Sequence, residues 1–273
     1  MTAASPPRVR ALRSHEVPVL MYHEIADATI TQSKLAVDPE VFADQVAYLS
    51  EAGFTSITAG ELARSFALGG AGLPERPVVV TFDDGYGDFY DHAVPLLKQH
   101  GLVATVFQTT GWVGLTDKVK RMMNWRELAE VVEAGMEVGA HTYRHPQLDQ
   151  LSEKAAREEL YGPKSTLEDK LGIAVPGIAY PFGYSNSMVR RLTGEAGYTY
   201  GYSVGNALTT TGADAFALPR LTVKRSTTMD SFRRMVNGLD TVALQRDRAF
   251  TRGYSVVRRA RSSVKSALSR SGQ

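Results

Sequence analysis

Apolar positions along the chain follow two alternating rhythms. Short β-branched or aromatic runs recur at 17–22, 78–82, 104–107, 136–140, 177–181, 198–204 and 218–223. Between them apolar residues keep helical spacing. Asp38-Pro39 reads as an N-cap followed by proline at the first helical position, with Phe42, Val46 and Leu49 on one face and Gly53 as the stop. Further helices are predicted over 59–68, over 90–100 with Pro95 early, and from the Asn124–Glu127 capping box to Gly135. Others cover 152–171, where Gly162-Pro163 predicts a kink or break, 186–196, and 229–238. Strands alternating with helices at roughly 25–30-residue spacing argue repeated βα units and a parallel sheet. About seven strands fit a (β/α) barrel better than an open sheet, although the sequence does not settle closure.

The organisation predicted is a Pro/Ala/Arg-rich arm over 1–16, one catalytic domain over 17–245, and a tail over 246–273. A hydrophobic fraction of 43% and a charged fraction of 22% are those of a globular protein. No apolar run approaches the ~20 residues that span a bilayer. The N-terminal arginines Arg8, Arg10 and Arg13 are followed by no apolar stretch, so a cytoplasmic location is expected. The absence of cysteine removes disulfides, thiolate metal sites and cysteine nucleophiles. The tail carries eight basic residues against the single acid Asp247. Phe250, Tyr254, Val257, Val264 and Leu268 recur among its arginines, which suits either a solvated tail or peripheral contact with an anionic membrane. No nucleic-acid partner is expected, because the body is mildly acidic and carries no binding motif.

The chemistry-bearing residues stand where the predicted strands end. Val78–Phe82 runs into Asp83-Asp84-Gly85; His23-Glu24 follows the first strand; His141 and His145 follow the strand ending at Ala140; Tyr180-Pro181-Phe182-Gly183 follows another. In a parallel sheet these ends share one face. An Asp-Asp-Gly turn alone is a common way to close a strand, and two histidines four apart are commonly surface or core residues. Together they offer two imidazoles and a carboxylate with room for water, a known catalytic zinc set. Pro146 disfavours helix at His145, so both rings are expected on a loop.

Thr81-Phe82-Asp83-Asp84-Gly85, His141-Thr142-Tyr143-Arg144-His145-Pro146 and Tyr180-Pro181-Phe182-Gly183 resemble the three motifs of the polysaccharide deacetylases of carbohydrate esterase family four. The likeness extends over about residues 17–237. It implies a distorted (β/α) barrel and a metal-dependent hydrolase that removes N-acetyl groups from N-acetylhexosamine units of a polysaccharide, oligosaccharide or lipid-linked sugar. By the same resemblance Asp84, His141 and His145 would bind a divalent metal, zinc above all. Asp83 would be the general base, and the backbone N–H of Phe182 would donate to the oxyanion.

Two positions depart from that pattern. Ala179 stands where the commonest family sequence has an arginine bracing the base, and no histidine follows His145 to serve as general acid. Val19-Leu20-Met21-Tyr22-His23-Glu24-Ile25 resembles a branch, including deacetylases of poly-N-acetylglucosamine, in which the acid is moved to the N-terminal strand. His23 is therefore expected as the acid, with a core histidine as the plainer reading, and Arg220 is the candidate brace. Trp112 and Trp125 suit either sugar stacking or packing. Two other functions remain open: sugar O-acetyl ester or formamide cleavage at the same site, and sugar binding by a vestigial one.

Overall fold

The structure, a computed structural model, describes residues 16–27, 29–116 and 120–239. The predicted tail and nearly all of the predicted arm lie outside them. Seven parallel strands form the barrel sheet: β1 (Val19–Tyr22), β2 (Pro77–Phe82), β3 (Thr105–Gln108), β4 (Glu137–Ala140), β5 (Gly177–Ala179), β6 (Tyr200–Tyr202) and β7 (Leu221–Thr222). The sheet order is β7-β1-β2-β3-β4-β5-β6. Register is carried by Leu221 opposite Leu20, Met21 opposite Thr81, and Thr81 opposite Thr105. Beyond these, Val106 lies opposite Val138 and Ile178 opposite Gly201. Curling brings the ends together: Leu218 bridges to Tyr202 in parallel, and the Ser203 N–H donates to the Leu218 carbonyl. The stretch predicted as one strand over 218–223 thus serves two neighbours in turn, β6 first and β1 afterwards, and only two of its residues form β7. The sheet is the curled, distorted barrel expected.

Both faces of the strands are buried, which is why they read as unbroken apolar runs. Val78, Val80 and Phe82 of β2 pack outward against the helices, while Val79 joins Val19, Phe107, Tyr200 and Tyr202 in the barrel interior. Alternation then carries Thr81 and Asp83, and on β1 Met21 and His23, toward that same interior.

The helices are α1 (Pro39–Glu51), α2 (Ala59–Ala67), α3 (Val94–Gln99), α4 (Trp125–Glu133), α5 (Glu153–Leu171), α6 (Ser187–Glu195) and α7 (Met229–Val236). Their starts obey local signals. Asp38 accepts from the Glu40 N–H, and Asn124 and Glu127 form the predicted capping box. Two expectations change. The helix expected over 90–100 divides into a wide π turn, Phe89–Ala93, and the short α3. Pro95 has no N–H to give the carbonyl of Asp91, and the wider turn accommodates that loss. The break expected at Gly162-Pro163 does not occur: α5 runs unbroken through a buried Pro163. Packing of Ala156, Leu160 and Leu167 against the sheet outweighs the single hydrogen bond that Pro163 forgoes. No helix among the described residues is long and apolar enough to cross a membrane.

Candidate active site

The C-terminal ends of the strands surround a cleft of about 630 Å³ lined by His23, Asp83, Asp84, His141, His145 and Phe182, among others. Consecutive residues of a strand point to opposite faces, so Asp83 and Asp84 could not both face the cleft in extended chain. Asp84 has φ 75°, which turns the chain and delivers its carboxylate to the same side. Thr142, His145, Phe182 and Asn206 are the other non-glycine residues with positive φ among those described, and all of them lie at this end of the barrel. Backbone of this kind persists only where its surroundings over-determine it. Gly85 follows at φ 90°, and a Cβ there would meet the Gln108 amide at 1.9 Å.

Asp83 is 3% exposed and sits on a guanidinium. Arg220 Nη1 and Nη2 donate to its two carboxylate oxygens at 2.6 and 2.7 Å. Arg220 is itself fully buried, held further by Thr81 Oγ1 at 3.1 Å and the Ser203 carbonyl at 3.3 Å, with the Phe107 and Tyr202 rings beside it. Burial pushes the Asp83 carboxyl up, but the charges of Arg220 and His141 outweigh it and hold the group below the usual carboxylate range. His23 Nε2 lies 4.0 Å from Asp83 Oδ2, and its Nδ1 is buried without a hydrogen-bond partner among the described residues. Burial depresses the His23 pKa, against the opposing pull of Asp83 and Asp84.

Asp84, His141 and His145 form a second unit, with one donor atom from each within 4.8 Å of the others. Asp84 Oδ1 is 3.4 Å from His141 Nε2 and 3.3 Å from His145 Nε2, and among the described residues it accepts no hydrogen bond. Two ligands each 2.0–2.1 Å from a tetrahedral ion stand about 3.4 Å apart. The donor set and its spacing therefore fit a divalent metal better than a hydrogen-bonded triad. His141 Nδ1 is 2.7 Å from the Ala179 carbonyl, which assigns its proton to Nδ1 and leaves Nε2 as the lone-pair donor. Burial, with the nearby His141, lowers His145 to about 4, so its imidazole is neutral at neutral pH.

Phe182 follows β5 in the turn Pro181–Gly183, with φ 59° and a half-exposed ring. That ring stands 4.8 Å from His145 and stacks 5.8 Å from Tyr184. Trp112 lies 5.2 Å from the His145 ring and lines the cleft, whereas Trp125 opens α4 and packs on the core. Tyr86 also lines the cleft, and Asp88 Oδ2 receives the Ile25 N–H, tying down the segment after His23. Six of the seven site residues singled out in the sequence line one cleft, and the seventh, Arg220, lies buried behind it on Asp83. The sequence carries no local signal for Glu159, whose buried carboxylate on α5 accepts the N–H groups of Tyr143 and Arg144. Nor does it mark Gln108, whose amide donates to the carbonyls of Asp84 and Thr109.

A parallel barrel whose strand ends gather two carboxylates, three imidazoles and a buried arginine is a hydrolase framework. Comparison with known proteins gives the family. Residues 70–201 match the family model described as polysaccharide deacetylase. YxkH of Bacillus subtilis, assigned to the polysaccharide deacetylases, is 26% identical over 216 residues, covering 79% of this chain and 74% of that protein. A Staphylococcus aureus poly-β-1,6-N-acetyl-D-glucosamine N-deacetylase is 27% identical over 178 residues, covering 62% of this chain and 60% of that one. Among solved structures, IcaB from Ammonifex degensii superposes with a TM-score of 0.70 at 27% identity, over 81% of this chain and 96% of that one. The chain thus carries a polysaccharide deacetylase domain, and with these relatives it is a hydrolase of the amide bond in acetylated sugars.

Proposed function

We propose that this chain is a zinc-dependent N-deacetylase acting on N-acetylhexosamine units of a polymer, with β-1,6-linked N-acetylglucosamine as the favoured substrate. The observation that carries the reading is the contrast between two adjacent carboxylates. Asp83 has both oxygens engaged by Arg220, while Asp84 Oδ1 stands between two imidazoles with no hydrogen bond among the described residues. The first is fixed for proton transfer and the second is left for a cation. The name of the Staphylococcus aureus relative supports the choice of sugar.

Asp84, His141 and His145 would hold the metal. When bound, zinc supplies an acidified water and polarises the acetyl carbonyl. Asp83 accepts the proton of the attacking water as its oxygen bonds to the acyl carbon. The Phe182 N–H donates to the oxygen of the former carbonyl. His23 gives a proton to the nitrogen as the C–N bond breaks, so that acetate and a free amino sugar leave.

The test is acetate release from β-1,6-linked N-acetylglucosamine oligomers by protein of measured metal content, with a chelator arm and a matched O-acetyl ester. Asp83→Asn should keep its zinc and lose at least about 100-fold in kcat, the ordinary range for a general base. Full turnover in that variant, or turnover indifferent to chelation, refutes the reading; activity on the ester alone reassigns the bond cleaved.

A further inference from the structure

We infer that Glu159 is the positioning residue that holds the loop from His141 to His145 in metal-binding geometry. This rests on the metal reading of Asp84, His141 and His145. The loop is strained at two positions, Thr142 at φ 65° and His145 at φ 62°, neither of them glycine. Something outside it must fix its shape, and the loop's hydrogen bonds show what does. Glu159 Oε2 accepts the Tyr143 N–H at 2.9 Å and the Arg144 N–H at 2.8 Å, two consecutive backbone donors on one carboxylate oxygen. Oε1 faces Arg144 Nη1 at 3.4 Å. The His145 N–H is taken within the loop by Thr142 Oγ1 at 3.0 Å. The carbonyls of Thr142 and Tyr143 accept from the N–H groups of Thr110 and Gly111, which follow β3. One side of the loop is thus pinned to the segment after β3 and the other to α5, and the only side chain that α5 supplies to the loop's N–H groups is Glu159.

Its placement is otherwise costly. Ala156, Leu160 and Leu167 of α5 face the core, and Glu159 sits among these buried positions with 5% exposure. A carboxylate there loses its hydration and is tolerated only where hydrogen-bond donors replace water. Here the replacing donors are the loop amides between the two imidazoles. Packing of α5 asks only for an apolar residue; a carboxylate serves the loop.

The test is zinc affinity of the metal-free protein, measured by competition with a chromophoric chelator, together with the visible spectrum of the cobalt(II) form and the apo melting temperature. Glu159→Ala should weaken zinc binding by about 10- to 100-fold, the usual consequence of removing a partner that orients metal ligands, and should alter the cobalt spectrum. Glu159→Gln keeps the shape and one acceptor, and should fall between that variant and wild type. Hydrogen exchange at the Tyr143 and Arg144 amides should accelerate in both. Glu158→Gln, at the exposed neighbouring position, should match wild type throughout. If Glu159→Ala does not fold, Glu159→Gln decides. A folded Glu159→Gln protein with wild-type affinity, cobalt spectrum and amide exchange overturns the inference. A wild-type chain that takes up no zinc, or an Asp84→Ala variant that binds as well, overturns the metal reading itself and the inference with it.

Discussion

Arg220 shows how a residue without a motif completes one. It lies 137 positions from Asp83, yet the two form a buried bidentate pair. The position where the commonest family sequence has its brace is Ala179, a buried residue of the barrel interior, and Arg220 enters that interior from the position just before β7. The substitution Arg220→Met should cost about 3–5 kcal/mol in urea unfolding, because it strands a buried carboxylate. Asp83 then loses the charge that holds its pKa down, so the acid limb of the kcat/KM profile should move to higher pH. Arg220→Lys should restore charge without the two-pronged geometry and recover only part of both effects. An unmoved acid limb in the Met variant would show that Arg220 supports the fold alone. At this scale the sequence was legible where chemistry clusters locally, as in Asp83-Asp84 or His141 and His145. It was illegible where one polar residue answers another across the fold: nothing near Glu159 announces that two loop amides need it.

At the scale of elements, helix starts were readable because their signals are contained within four residues. Asp38, Asn124 with Glu127, and Asn186 each cap a helix where expected. The misreadings at Pro163 and Pro95 have opposite causes: at Pro95 the lost backbone hydrogen bond widens the turn, whereas at Pro163 packing supplied by other elements overrides it. The β7 strand was overestimated because an apolar stretch shared between two neighbouring strands looks like one long strand. The turn after β2 joins residue to element. Gly85 stands at φ 90° against the Gln108 amide, which cannot swing away without giving up its bonds to the Asp84 and Thr109 carbonyls. Gly85→Ala should therefore destabilise the protein by about 2–4 kcal/mol, combining backbone strain with the clash. Gly85→Ala with Gln108→Ala should recover the part due to the clash and retain about 1 kcal/mol of backbone strain, read as a double-mutant cycle in denaturant. Strict additivity of the two substitutions would mean that the amide does not press on the turn.

For the whole molecule, the order and curl of the sheet make the site. His23, the carboxylate pair and Arg220 stand at the ends of β1, β2 and β7, which pair side by side, while the paired imidazoles follow β4 and Phe182 follows β5 on the opposite side of the curled sheet. Concentrating imidazoles and carboxylates in one buried cleft also ties global stability to pH in the metal-free protein. The His145 pKa is lowered to about 4 by burial and His141, against about 6.5 unfolded. His23 is lowered as well, by burial. A lowered histidine binds its proton more readily when unfolded, so the neutral forms favour folding above about pH 6.5, and that contribution drains away as pH falls toward the folded value. The full His145 shift corresponds to roughly 3 kcal/mol. His141 runs the other way: burial lowers it, but Asp83 and Asp84 raise it overall. Its contribution is complete below about pH 6.5 and is lost as pH rises through the higher folded value. Asp83 and Asp84 are both depressed, despite burial, by Arg220 and the imidazoles, so their contribution stands above about pH 4 and is lost only below it. The lowered histidines predict a falling component of unfolding free energy in chelator between pH 6.5 and 4.5, against which Asp88 works, because burial raises its carboxyl to about 7 and it favours folding as it gains its proton. Urea unfolding at half-unit steps measures that slope. His145→Gln should flatten it, since the variant has no proton to bind at that position. A slope unchanged in His145→Gln would place the acid sensitivity outside the cleft. Zinc added to wild type at neutral pH should raise the whole curve, and acid should remove that gain early, because the metal requires the same imidazoles in their neutral form.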